Sequence, residues 1–316
     1  MRVAMLRGPT NRRPTTMYTI ELRSHRPDGA VALRSALADL LDRLYARDGA
    51  LDATRLKLRV VSDAIVPPEH REGAAPPLLR EDHSDGCTIT LCAAYVEQAL
   101  AGDADELMQL VHLLHRELWR SELARDATTA PPADSVAAQF WPIVTRMFDE
   151  YRANRASAWS LPARADLLLP HLLGLLEELP AACERALSAY RIDGDDHALA
   201  GLSMARLALL MQTTAFSLGY LAGLGRSVAD IAPEMKAAID ASLLGREWPR
   251  FAALLAGAAD SAGDARLLQL DMLRTRVMAV LSNMGVPVGV DESGHLRLDV
   301  SADWPVAADA DRRKPH

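Results

Sequence analysis

The chain has 316 residues, long enough for one large domain or two modest ones with a sizeable core, and 49% of them are apolar, 24% charged and 5% aromatic. Lys and Arg number 35 against 42 Asp and Glu, a formal charge of −7, which leaves no overall basic footprint for nucleic acid. Cys87, Cys92 and Cys183 form no CxxC pair and no disulfide framework, the pattern of a reduced cytoplasmic protein.

Residues 1–16, rich in Arg, Pro and Thr and without periodicity, read as a flexible leader, and no apolar run of a secretory signal follows their charges. Alternation over 17–23 predicts a first strand. Residues 30–47 carry Val31, Leu33, Leu37, Leu40, Leu41 and Leu44 at helical spacing, closed by Asp48-Gly49. The clearest strand is 54–62, where Leu56, Leu58 and Val60 alternate with Arg55, Lys57 and Arg59. Residues 63–86, with Pro67-Pro68, Pro76-Pro77 and Asp85-Gly86, read as a long connection before a third strand at 87–92. A short helix over 93–101 breaks at Gly102-Asp103, and a central helix spans 104–124 with Asp103 or Asp105 as its cap. Residues 128–134 form a loop and 135–159 a further helix.

The C-terminal half predicts helices over 163–190, 195–222, 227–243, 247–260 and 264–284, with Gly194, Gly225 and Gly263 in the breaks. Pro170 and Pro180 should kink or split the first of them. The stretch 207–225 carries no charge across 19 residues, enough to span a bilayer. Gln212, Thr213, Thr214 and Ser217 within it, and Arg206 and Arg226 on either side, predict a buried core helix instead. Two short strands, 286–290 and 296–300, suggest a terminal hairpin, and a disordered tail runs over 302–316.

The centre of interest is 107–122, LMQLVHLLHRELWRSE. Residues four apart share one helix face, so this helix presents His112, Arg116 and Arg120 together, with Glu117 beside Arg116. The run 82–126 (DHSDGCTITLCAAYVEQALAGDADELMQLVHLLHRELWRSELARD) resembles the strand–helix–active-helix core of zincin metallopeptidases. There a Gly-Tyr/Thr-Ile-x-Leu edge strand precedes a helix bearing HELxH. Residues 147–159 (MFDEYRANRASAW) resemble the second helix of gluzincin-type (HExxH+E) members, where a Glu within E-Y-x-A-x-R is the third zinc ligand. The similarity covers residues 50–160, roughly a third of the chain.

The resemblance implies an α+β fold in which a small zincin-like sheet packs on an active-site-type helix, followed by a mainly α-helical lobe. The corresponding division is a leader 1–16, a zincin-like lobe 17–160, a helical lobe 161–301 with its hairpin, and a tail 302–316. It also places the two zinc-binding His positions on Arg116 and Arg120, the general base on Glu117 and the third ligand on Glu150. The motif is therefore Arg116-Glu117-Leu118-Trp119-Arg120, and arginine, protonated at any working pH, is no zinc ligand.

On this register the chain is a pseudo-metallopeptidase without a cofactor, a regulator or scaffold whose partner is a protein or peptide, not nucleic acid or membrane. Two guanidiniums supply the charge of the lost zinc and can grip a carboxylate bidentately, so an Arg116/Arg120–Glu150 cluster is expected; a solvated arginine face is the plainer alternative. A second register pairs His112 and His115, at i and i+3, with an acidic ligand (Glu117, Asp149 or Glu150) around zinc, making an active peptidase with Glu117 as base. A third reading is a helical interaction module over 163–284. Oligomeric state is written in no motif.

Weaker candidates have simpler readings. His83-Ser84-Asp85 reads as a turn, and Cys87 and Cys92 as packing thiols. Asp193-Gly194-Asp195-Asp196-His197 resembles half a calcium loop, but the twelfth position is Met204, so it reads as a capped helix break.

Overall fold

The alternation at 54–62 becomes a strand with one buried face: Leu56, Leu58 and Val60 are in the core, while Lys57 and Arg59 pair with Glu21 at 2.7 and 3.5 Å on the other side. The computed structural model describes residues 18–23, 27–62, 78–84, 86–125, 135–161, 169–286, 288–290 and 296–298. The expected leader and tail, the prolines of the 63–86 connection and the 128–134 loop lie outside them. The fold is mixed α+β, and the chain divides into two units, Met1–Ala127 with Trp159–Pro162, and Thr128–Ala158 with Ala163–His316. The helix at 135–157, grouped with the sheet by the division at 160, falls in the second unit.

The first unit runs β1 (Thr19–Arg23), α1 (Pro27–Arg47), β2 (Leu56–Val61), β3 (Leu78–His83), β4 (Gly86–Cys92), α2 (Ala93–Ala101) and α3 (Ala104–Arg125). The sheet order is β1-β2-β4-β3, with β1, β2 and β4 parallel and β3 antiparallel at the edge. Leu58 lies between Ile20 and Ile89 in register. The Thr-Ile-x-Leu strand, expected at the edge, is interior: β4 lies between β2 and β3 and buries 87–91 continuously. The edge strand beside β4 is β3, which the sequence reading placed in a connection, because LLREDH has little alternation and is ordered by pairing with β4. Leu37, Leu41 and Leu44 of α1, Leu58, Ile89 and Leu91 of the sheet, and Leu110, Leu114 and Leu118 of α3 share one core. Asp103 is the cap of α3; its carboxylate accepts from the backbone N–H groups of Asp105 (2.9 Å) and Glu106 (3.0 Å).

The second unit contains α4 (Ser135–Ser157), α5 (Leu169–Asp193), α6 (Asp196–Leu224), α7 (Val228–Ile231), α8 (Pro233–Ala241), α9 (Trp248–Ala259), α10 (Gly263–Asn283) and an antiparallel hairpin of β5 (Val288–Val290) and β6 (Leu296–Leu298). Pro180 sits inside a continuous α5 and does not split it. Two glycines set the contact of α4 with α6: a Cβ on Gly219 would stand 2.4 Å from the Tyr151 carbonyl oxygen, and one on Gly223 2.4 Å from that of Arg155. The apolar stretch of α6 is long enough to cross a membrane, yet it packs as a core helix, with Leu207, Leu210, Met211, Tyr220 and Leu221 buried. Its hydroxyls bond backward along the helix, Thr213 to the Leu209 carbonyl at 2.9 Å and Ser217 to that of Thr213 at 3.0 Å. The 193–197 segment is the expected break, with Gly194 at φ 67° and Asp195 capping α6 through Ala198 N–H at 2.9 Å.

Candidate functional site

The apolar side of α3 follows from Leu110, Val111, Leu114 and Leu118 at helical spacing. What distinguishes this helix is that His112, His115 and Glu117 are also buried, at 3%, 1% and 1% exposure. Burying charge requires partners. Glu117 Oε1 accepts from Arg116 Nε (3.0 Å) and Nη2 (2.8 Å), and Arg120 Nη1 lies 3.2 Å from both oxygens. From the neighbouring edge strand Arg80 brings Nε to 3.9 Å of Oε2, while its Nη2 pairs with Asp82 at 2.8 Å. Burial pushes the Glu117 carboxyl up, but Arg116, Arg120 and Arg80 outweigh it and hold the group below its ordinary value. Arg116 and Arg120 are no solvated face, since their side chains are only 18% and 19% exposed.

Within the first unit, then, the carboxylate gripped by both arginines is the motif's own glutamate. Glu150 belongs to α4 of the second unit, where it is 2% exposed. There Oε1 accepts from Gln212 Nε2 at 2.9 Å and Oε2 from Asn154 Nδ2 at 3.3 Å.

His115 is committed elsewhere. Its Nδ1 accepts from Trp159 Nε1 at 3.1 Å, so the ring proton sits on Nε2, facing Asp48 Oδ2 at 3.5 Å. Asp48 also accepts from Trp119 Nε1 at 2.8 Å, and the Arg47 guanidinium lies 3.8 Å from the centroid of Trp159. Burial lowers the His115 pKa to about 4; Asp48 opposes this and Arg47 adds to it. The ring is neutral, and its one lone pair is spent on the Trp159 N–H.

No family model matches the chain, and no curated protein or solved structure matches it.

The zinc implied by the resemblance does not fit these residues. Arginines stand at two ligand positions, the His115 lone pair is occupied, and among the described residues no three His, Cys, Asp or Glu side chains are grouped to hold one ion. Sequence reasoning missed Arg80, Asp48 and Trp159. Arg80 lay in a stretch without strand periodicity, and the other two are joined to α3 only by tertiary structure. The secondary candidates follow their simpler readings. His83 pairs with Gly86 across a hairpin turn whose Ser84 carbonyl accepts from Arg55 Nη2 at 2.6 Å, and Asp85 lies outside the described residues. Burial pushes the Cys87 thiol up to about 11, opposite to an activated thiolate.

Proposed function

We propose that this is a zincin-like protein in which a guanidinium–carboxylate cluster stands where the zinc site would be, and that it acts by binding a protein or peptide, as a regulator or scaffold, and not by peptide hydrolysis. The observation that carries the reading is Glu117, buried and gripped by the two arginines at the metal-ligand positions. A general base must present a lone pair to its substrate or water at a pKa near the working pH. Glu117 is held below the ordinary carboxylate range and surrounded by donors. The element order, with α2 and the RELWR helix following a sheet that has one antiparallel edge strand, supports the zincin comparison. The free cysteines and the acidic balance suit a cytoplasmic protein whose partner is neither nucleic acid nor membrane.

The test is metal content and its engineered return. Purified wild type should contain no stoichiometric zinc and show no chelator-sensitive proteolysis. The Arg116→His/Arg120→His double variant, refilling both ligand positions beside Glu117, should acquire one zinc per chain. Stoichiometric zinc in wild type that His112→Ala removes would favour the active-peptidase reading instead. A folded double variant that stays metal-free would remove the zincin register.

A further inference from the structure

Helix α10 has two apolar sides. One carries Leu270, Leu273 and Val277 into the core of the second unit. On the opposite side Ala265, Leu268, Met272, Thr275, Ala279 and Ser282 follow one another at alternating steps of three and four. All of these are exposed except the half-buried Ala279, and the two large ones, Leu268 and Met272, keep 61% and 48% of their surface in solvent. Steps of three and four make a seven-residue period, which keeps its side chains on a single stripe and suits a second helix laid alongside.

The charges beside the stripe say which helix that is. Ala265, Met272 and Ala279 take the a positions of the period, and Leu268, Thr275 and Ser282 the d positions. The g positions before each a are then Asp264, Asp271 and Met278, and the e positions after each d are Gln269, Arg276 and Asn283. In a parallel pair in register, each g faces the e five residues further on in the other helix. Asp271 of one copy thereby meets Arg276 of the other, and the two-fold axis makes this pair twice. An antiparallel pair sets g beside g and e beside e. Asp271 would then find Asp264, Asp271 or Met278, and Arg276 would find Gln269, Arg276 or Asn283, no opposite charge in any register. Both groups can reach outward. The Asp271 side chain is 52% exposed although Arg274 lies 2.9 Å from it, and that of Arg276 is 34% exposed, 3.9 Å from Glu247.

We propose that two copies of this chain associate through α10, the helices parallel and in register about a two-fold axis. Leu268 and Met272 pack against their counterparts, and an Asp271–Arg276 pair closes each flank. With two large apolar side chains from each copy, the dimer is a weak one, dissociating on the order of 10 to 100 μM. Nothing in it rests on the zincin register, and the zinc experiments above can fail without touching it.

Sedimentation equilibrium of the full chain between about 1 and 500 μM tests it and should show monomer passing into dimer. Leu268→Lys should weaken association by about tenfold or more. Asp271→Arg and Arg276→Asp, each alone, turn two attractive pairs into repulsive ones and should weaken it about tenfold. An equimolar mixture of those two variants should recover the dimer, because every 271–276 contact again joins opposite charges. Ser282→Cys should cross-link to itself under mild oxidation well beyond wild type with its three native cysteines, since a parallel pair sets residue 282 opposite its own copy. Thermal melts confirm that each variant, altered on an exposed face, is folded. A wild type that stays monomeric throughout, a dimer indifferent to Leu268→Lys, charge variants that do not recover on mixing, or a dimer that Ser282→Cys fails to cross-link overturns the proposal.

Discussion

Each unit buries a glutamate on a long helix, and the hydrogen-bond donors that each glutamate meets within its own unit differ. Glu117 of α3 accepts from the guanidiniums of Arg116 and Arg120, neighbours on its own helix, with Arg80 reaching in from β3. Glu150 of α4 accepts from neutral amides, Asn154 one turn on and Gln212 of α6. The first arrangement is closed by local sequence and fixes an ionised carboxylate in place. The second ties one helix to another through a side chain that has no special spacing. The difference teaches that Arg116 and Arg120 hold Glu117 as an ionised partner; on the proposed zincin register they would thereby also consume the one group that could have served as a base.

Removing the carboxylates separates the two arrangements most strongly. Glu117→Ala leaves guanidiniums around a buried space and should cost about 3 kcal/mol or more, the penalty of breaking a buried ion pair from one side. Glu150→Ala deprives the Gln212 amide of its acceptor and should cost about 2 kcal/mol. Urea unfolding of the two variants checks the order, and a cost at 117 no larger than that at 150 would undo the ion-pair account of α3.

The next contrast lies within α6. Gly219→Ala would drive a methyl to 2.4 Å from the Tyr151 carbonyl oxygen and force α4 and α6 apart, at about 2 kcal/mol. Gly201→Ala meets nothing within 4 Å on the same helix and should stabilise by about 0.5 to 1 kcal/mol through helix propensity. Thermal melts that shifted in the same direction for both would contradict the close helix contact.

These contrasts also show what could be read before any coordinates. Periodicity sufficed where one residue type repeated on one face: the leucines of α1, the alternation of β2, the apolar run of α6 and the 193–197 break all stand in the fold. Local chemistry suited caps as well, leaving only the choice of Asp103 over Asp105 to the structure. β3 was invisible because its order comes from pairing with β4 and not from its own pattern. At the site, Arg116, Glu117 and Arg120 were legible as neighbours on a helix. That the arginines turn to Glu117 within their own unit was not, because spacing fixes a face but no rotamer. His115 with Asp48 and Trp159 joins residues 67 and 44 positions from it in sequence, a relation no local window contains.

That network gives a pH contrast between two buried groups of the same helix. Unfolded histidine takes up its proton near 6.5, whereas folded His115 does so only near about 4. Between those values the unfolded chain binds more protons, so stability falls as pH drops from 6.5 towards 4. Glu117, held below its ordinary 4.5, acts in a lower window: its contribution is present above the unfolded carboxyl pKa and is lost as pH falls below it. His115→Gln, whose amide oxygen can still accept from Trp159, should flatten the urea midpoint between pH 6.5 and 4.5 and leave the steeper loss at lower pH unchanged. An unaltered slope in the upper window would mean that another group carries it.

The smallest effects compare the caps that start one long helix in each unit. Asp103 accepts two backbone N–H groups at the head of α3, and Asp195 accepts that of Ala198 at the head of α6. Either carboxylate replaced by Ala should cost about 1 kcal/mol, while Asn, which keeps an acceptor oxygen, should cost only a few tenths. Asp103 also faces the positive end of a helix whose next residues include Asp105 and Glu106. Its charge is therefore partly opposed by theirs, and the hydrogen bonds carry most of its contribution. Asp103→Asn should accordingly show little dependence on salt, whereas a stability loss that grows at low ionic strength would shift the cap's role from hydrogen bonding to the helix dipole.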